Sequence, residues 1–75
     1  MPLPIELCPV ESSALVAVGY DPAQMTLYVE FHQGMVYAYS CVPPEVHTAL
    51  LRADSLGGYL EGTIKRSNYP FKRVR

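Results

Sequence analysis

The sequence predicts a small α+β domain in which a three-stranded antiparallel β-meander is followed by two short helices, in the order β-β-β-α-α. Residues 14–42 are rich in apolar and β-branched side chains and contain the two-residue period of strands, whereas residues 44–64 follow the helical period. The connections between the predicted strands are short, so neighbouring strands should pair antiparallel. We therefore expect a sheet that helices cover on one face, with its second face and its edges available to a partner.

The first two strands are predicted at residues 14–20 and 25–31. Apolar residues occupy both parities of the first strand, which indicates that it is well buried. Asp21 and Pro22 suit the first two positions of a type I turn between the strands. The second strand alternates strictly, so we expect one face in the core and the other face, which carries Tyr28, toward water.

The third strand is predicted at residues 35–42, after a hairpin loop in which Gly34 can take a positive φ. A first helix begins at residues 43–45, because proline is tolerated in a first turn and Glu45 suits the positive end of the helix dipole. Its apolar stripe comprises Val46, Ala49, Leu50 and Ala53.

A second, weaker helix is predicted after Asp54 and Ser55, either of which can cap it. Its apolar face comprises Leu56, Tyr59, Leu60 and Ile64. Three glycines lower its propensity by up to about 1 kcal/mol each, and they suggest close packing or an adjustable segment. Residues 67–75 can add a short C-terminal strand or pack loosely.

Length and composition predict one domain over residues 1–75, with a core at about 10–71, an extended proline-rich lead-in at 1–9 and a basic tail at 72–75. Hydrophobic residues make up 49% of the chain and charged residues 17%, so the chain can fold. The sequence has no membrane-length apolar run and no signal-peptide pattern, and its two cysteines form no paired motif. These features favour the reducing cytoplasm.

Several short segments together resemble the KTSC domain family. They comprise residues 12–13, 18–21, 30–31, 34–39, 42–43, 53–59, Ile64 and 69–70, so the resemblance covers about residues 10–71. The hallmark of the family is a central Tyr-x-Tyr, here Tyr37-Ala38-Tyr39. The family takes its name from the C-terminal extension of some lysyl-tRNA synthetases and also occurs as small stand-alone bacterial proteins. The resemblance implies an unestablished function for which RNA binding has been suggested, and it brings no catalytic residues.

Tyr37 and Tyr39 stand two residues apart on a predicted strand, so their rings share one face of the sheet. On an exposed face they would form a stacking surface for single-stranded bases. The alternative, which we favour for so small a core, is that both rings pack against the helices or the neighbouring strands. Tyr28 lies on the polar parity of its strand and is therefore the better candidate for an exposed ring.

The charge is uneven along the chain, although the net charge is only −1. After residue 61 there are five cations and no acid, whereas residues 1–61 contain one cation and seven acids. The basic end includes the aromatic residues Tyr69 and Phe71, so it can meet phosphates and stack on bases. Its cations are Lys65, Arg66, Lys72, Arg73 and Arg75. The alternative is a solvated tail whose cations pair with the acidic body.

We predict no metal site and no catalytic site. Cys8, His32, Cys41 and His47 lack the close ligand pairs of a zinc site. His32 is expected in a turn, and His47 on the surface of the first helix. The hydroxyls of Ser12 and Ser13 are expected to satisfy backbone groups at the entry to the first strand rather than to act as nucleophiles.

The expected function is that of a small non-enzymatic binding module without a cofactor, with RNA as the ligand class. The candidate nucleic-acid contacts are Tyr28, Tyr37, Tyr39, Lys65, Arg66, Tyr69, Lys72 and Arg73. The alternative is a protein-interaction or homodimerisation module that uses a strand edge or the second face of the sheet.

Overall fold

A computed structural model describes residues 5–75 and contains one five-stranded antiparallel sheet whose spatial order follows the chain. The strands are β1 Cys8–Pro9, β2 Leu15–Asp21, β3 Thr26–Phe31, β4 Val36–Tyr39 and β5 Phe71–Arg73. The α+β class and the central three-stranded meander are thus confirmed. The sheet gains β5 from the C-terminal segment and β1 from the lead-in, so it is wider than the three strands expected.

The turns of the meander form as their residue types predict. The Asp21 carboxylate accepts hydrogen bonds from the backbone N–H groups of Ala23, at 3.0 Å, and Gln24, at 3.3 Å. Gly34 adopts a φ of +88°, which confirms its role in the second hairpin loop. The third strand is shorter than expected because Cys41 takes a φ of +61° shortly after β4 and the chain bends toward the helices.

The helical half comprises α1 Pro44–Arg52, α2 Leu56–Tyr59 and a π-helical turn Leu60–Ile64 that continues α2. The Ser55 hydroxyl caps α2 by accepting a hydrogen bond from the Gly58 N–H at 3.0 Å. The sequence predicts an α-helix here, but the segment forms a π-helical turn. The Lys65 N–H donates to the Leu60 carbonyl, five residues earlier, at 2.9 Å. This turn still buries Leu60 and Ile64.

The main core lies between the sheet and the helices. The meander, the Val42 bend and both helical segments contribute its fully buried side chains, which are Leu15, Val18, Leu27, Val29, Tyr39, Val42, Leu50, Leu60 and Ile64. Leu27 and Val29 therefore confirm that one parity of β3 faces the core. Phe31 packs at the margin of this core, whereas Met25 precedes β3 and is exposed.

The second face of the sheet is also covered, which corrects the expectation that it faces water. Tyr28, on β3, is only 9% exposed, and it forms a second buried cluster with Val36 and Ala38 of β4. Ile5, Leu7 and Val74 pack on this cluster. The cause is the return of residues 5–7 across the sheet, which strand alternation does not predict. Tyr28 is consequently buried and unavailable for stacking on bases.

A close contact joins α2 to the entry of β2, and it makes a testable prediction. A Cβ atom added to Gly57 would lie 2.8 Å from the Cβ atom of Ala14. Gly57→Ala should therefore lower the free energy of unfolding by about 1–2 kcal/mol despite its better helix propensity. Urea denaturation measures the change.

Two further variants control this experiment. The double variant Gly57→Ala/Ala14→Gly should recover most of the loss, because it removes the clashing methyl group. Gly62→Ala should keep or raise the stability, since a Cβ atom there would meet nothing within 4 Å. If the changes in the free energy of unfolding for Gly57→Ala and Ala14→Gly simply add in the double variant, the two residues are not in contact.

Candidate functional site

Tyr37 and Tyr39 lie on the helix-covered face of the sheet, which agrees with the packed arrangement that we favoured. Tyr39 is 2% exposed and belongs to the main core, whereas Tyr37 is half-buried and packs at its margin. Burial raises the pKa of the Tyr39 hydroxyl, so it stays protonated at neutral pH. The two tyrosines therefore do not form an exposed pair on the opposite face.

The exposed ring on this side of the sheet belongs to Phe71, on the edge strand β5. It is 61% exposed, although it is a large apolar residue. Its ring stacks on Tyr37, with centroids 5.9 Å apart and planes 9° apart, and lies 5.6 Å from the ring of Tyr39. Phe31 meets the ring of Tyr37 edge-on at 5.6 Å. Phe71 thus packs against other aromatic rings and still leaves most of its surface open to solvent.

A groove of about 550 Å³ opens beside Phe71, between β4, β5 and the chain that leaves the π-helical turn. We call it the aromatic groove, and it is lined by Tyr37, Tyr39, Ile64, Lys65, Asn68, Tyr69, Pro70 and Phe71. Asn68 has a φ of +57°, which lets the chain turn back toward β5. The Pro70 carbonyl accepts a 2.7 Å hydrogen bond from the Ser40 N–H and anchors this return.

Lys65 supplies a cation to the lining of the aromatic groove. Its Nζ atom donates to Glu61 Oε1 at 2.9 Å across one helical turn. That hydrogen bond raises the pKa of Lys65, partly against the effect of desolvation, so the ammonium is charged at neutral pH. Both side chains are exposed, and such a pair contributes little to stability, so a phosphate can compete for Lys65.

The register of β5 separates the other predicted cations. Arg73 pairs with Tyr37 and therefore lies on the side of the aromatic groove, whereas Lys72 pairs with Ala38 and lies on the opposite side. Arg75 forms an ion pair with Glu30 at 3.1 Å. Arg66 is exposed immediately after Lys65. The structure thus brings Tyr37, Tyr39, Lys65 and Tyr69 together in the groove lining and places Tyr28 and Lys72 on the other side of the sheet. Arg73 lies on the groove side but outside the lining, and its Nε atom donates to the Arg75 carbonyl at 3.0 Å.

His47 departs from the surface position expected for it. Its ring is half-buried and stacks on Tyr20, with centroids 4.9 Å apart and planes 12° apart. Burial lowers the pKa of His47, so the neutral imidazole predominates at pH 7. The Tyr20 hydroxyl donates to the Val42 carbonyl, which ties this pair to the bend after β4.

The remaining candidate side chains have structural positions. The Ser12 hydroxyl accepts hydrogen bonds from the N–H groups of Ala14 and Leu15, at 3.1 and 3.2 Å, as expected for the entry to β2. His32 lies in the second hairpin loop, where its Nε2 atom is 3.2 Å from the Ser12 carbonyl oxygen. Cys8 and Cys41 are exposed free thiols. Residues 5–75 contain no cluster of three or more His, Cys, Asp or Glu side chains that could hold a metal ion.

Comparison with known proteins identifies the family. The sequence model of the KTSC domain matches residues 11–69. The chain belongs to the KTSC domain family. The crystal structure of a KTSC domain protein from Yersinia pestis is similar, with a TM-score of 0.86 and 32% identity, and the match covers 93% of this chain and 97% of that one. The resemblance seen in the sequence is therefore confirmed.

Two other proteins contain sequences similar to this chain. An uncharacterized protein from Stutzerimonas stutzeri is 48% identical over 65 residues, which cover 87% of this chain and 92% of that protein. A lysine–tRNA ligase from Nostoc sp. is 40% identical over 55 residues, which cover 73% of this KTSC chain but 10% of the ligase. Within the described part of this chain, no helix has the length and apolar character needed to cross a membrane.

Proposed function

We propose that this KTSC domain is a non-enzymatic binding module for single-stranded RNA and that it binds RNA in the aromatic groove. The observation that carries the proposal is the 61% exposed ring of Phe71, which stacks on Tyr37, lines the groove together with Lys65 and lies on the same side of β5 as Arg73. Aromatic rings on a sheet that stack on unpaired bases, with cations beside them for the phosphates, are a common means of RNA recognition.

Charge supports an anionic ligand at this end of the molecule. The five cations after residue 61 have no acidic residue among them, whereas the rest of the chain is acidic. Of these cations, Lys65 and Arg73 lie on the side of the aromatic groove and attract a polyanion toward it, whereas the acidic residues of the rest of the chain repel one. The lysine–tRNA ligase from Nostoc contains a sequence similar to this domain, and a ligase of that name acts on a tRNA. That similarity favours RNA as the class of ligand.

The test is a fluorescence-anisotropy titration of labelled single-stranded RNA with the full chain. Binding should weaken as salt is added, and Phe71→Ala should weaken it by about 5- to 150-fold, because stacking on an aromatic ring contributes about 1–3 kcal/mol per base. Phe71 is exposed on an edge strand, so its loss should leave the domain folded, as circular dichroism would check.

Leu51→Ala is the matched control. Leu51 is also a large exposed apolar residue, at 49%, but it lies on α1 and does not line the aromatic groove. Its loss should leave the affinity for RNA unchanged. Absence of binding at low salt, affinity that is indifferent to salt, or equal affinities for Phe71→Ala and the unaltered chain would each disprove the proposal.

Dimerisation through a sheet edge or the second face has less support. The edge strand β1 has two residues, one of them Pro9, and β5 carries Lys72 and Arg73, features that discourage pairing with another strand. Residues 5–7 cover part of the second face. We expect a monomer in sedimentation velocity at all concentrations, and a concentration-dependent dimer would favour the alternative.

We also propose that the domain acts in the cytoplasm. Cys8 and Cys41 are exposed thiols that form no disulfide with each other, a state that a reducing compartment maintains.

A further inference from the structure

We infer that the aromatic groove holds a very short segment of single-stranded RNA, with one stacked base and about two phosphates, and does not follow a long strand. This inference rests on the proposed function and states the size of its ligand. Three properties of the groove support it: the number of free aromatic surfaces, the position of the cations and the volume.

The row of aromatic rings offers one open stacking surface. The ring of Tyr37 is half-buried and already contacts Phe71, which stacks on it, and Phe31, which meets it edge-on. Tyr39 is 2% exposed, and Tyr69 is half-buried against the core. A base can therefore stack on Phe71, but a second base has no comparable ring beside it. Proteins that follow a strand over many nucleotides use several such rings in succession.

The cations limit the number of phosphates in the same way. Lys65 lies in the groove lining, and Arg73 stands opposite Tyr37 on the same side of the sheet. Lys72 lies on the other side, and Arg75 reaches Glu30, which has the parity of Tyr28 on β3 and so also lies away from the groove. Arg66 is exposed beside Lys65 and can add a weak outer contact. The cations on or near this side of the sheet are thus Lys65, Arg73 and Arg66, so additional nucleotides should gain little.

The volume of the groove agrees with this limit. At about 550 Å³ it falls in the middle of the range for sites that enclose one small molecule, roughly 300–1,000 Å³. The groove is therefore of the size of a site for one small ligand unit.

Counterion release makes the inference measurable. For single strands, the slope of log K against log salt is about −0.7 for each phosphate that a cation neutralises, so two phosphates predict a slope of about −1.4. The affinity should rise from a mononucleotide to a dinucleotide or trinucleotide and then level off. In longer strands the affinity should rise only by the statistical factor that comes from the larger number of overlapping binding positions.

The experiment measures competition by oligoadenylates, from one nucleotide to sixteen, against a labelled RNA on the full-length domain, with each titration repeated at several salt concentrations. Lys65→Gln and Arg73→Gln should each make the slope shallower by about 0.7. Lys72→Gln is the matched control, since it removes a neighbouring charge from the other side of the sheet, and the slope should not change.

The outcomes separate the inference from the proposed function. A plateau at two or three nucleotides with a slope near −1.4 supports the short site. Affinity that keeps rising to sixteen nucleotides, or a Lys72→Gln effect equal to that of Arg73→Gln, would overturn the short site, while sensitivity to Phe71→Ala would still support RNA binding in the groove. Failure of every oligomer and of the labelled RNA to bind would remove the proposed function itself.

Discussion

Leu60→Ala is expected to lower the free energy of unfolding by about 2–5 kcal/mol, enough to unfold a large fraction of so small a domain. Leu60 is 1% exposed and begins the π-helical turn, where it packs in the main core with Ile64. Three glycines weaken this helical segment, so we expect its position to depend on the two buried side chains rather than on helix propensity. Leu60→Ala removes most of the Leu60 side chain and leaves a cavity under the segment that lines the aromatic groove.

Leu51→Ala provides the comparison for this prediction, because it deletes the same atoms from an exposed position on α1. It should change stability by less than about 0.5 kcal/mol. Chemical denaturation of both variants measures the difference. Similar losses for the two leucines would show that the π-helical turn does not depend on Leu60 for its attachment to the sheet.

Gly19→Val is expected to cost about 3 kcal/mol, although valine is among the residues that strands favour. Gly19 lies in the middle of β2, where residues 5–7 cross the second face of the sheet. A Cβ atom there would lie 2.8 Å from the carbonyl oxygen of Glu6 and 2.9 Å from side-chain atoms of Ile5 and Leu7. The backbone oxygen cannot move aside as a flexible side chain can, so the segment must lift from the sheet.

A thermodynamic cycle combines Gly19→Val with a truncation that removes residues 1–7. In the truncated chain the Gly19→Val substitution should cost much less than in the full chain, because the clashing segment is absent. Thermal or urea denaturation of the four proteins gives the coupling free energy. An equal cost in both backgrounds would mean that residues 5–7 do not cover Gly19 in solution.

Local patterns in the sequence predict the meander, because a two-residue period is a property of neighbouring residues. The alternation of β3 correctly places Leu27 and Val29 in the core, and the residue types of Asp21 and Gly34 predict their turns. The cap at Ser55 is equally local. These features require no knowledge of which other segments contact them.

The cover on the second face was not predicted, since a lead-in with three prolines in nine residues lacks a strand pattern over most of its length. Two signals could have indicated it. Ile5 and Leu7 alternate around Glu6, and Gly19 interrupts an otherwise apolar strand, as glycines do where another backbone approaches closely. The burial of Tyr28 follows directly from this cover.

The candidate site shows the same division between local pattern and long-range contact. Sequence spacing correctly puts Tyr37 and Tyr39 on one face, but it does not say which face the helices cover. Phe71 is the exposed ring because β5 pairs with β4 in one particular register. The same register puts Arg73, and not Lys72, on the side of the sheet that carries Phe71. No periodicity in a three-residue strand predicts that register.

Residue order thus establishes the succession of strands and helices, the positions of the turns and the sets of side chains that share a face. Folding in three dimensions establishes which face each set meets, which cations gather beside Phe71, and the return of residues 5–7 across the sheet. The first group depends on backbone geometry within a few residues. The second depends on free energies of contact between segments distant in the chain, which patterns of neighbouring residues do not contain.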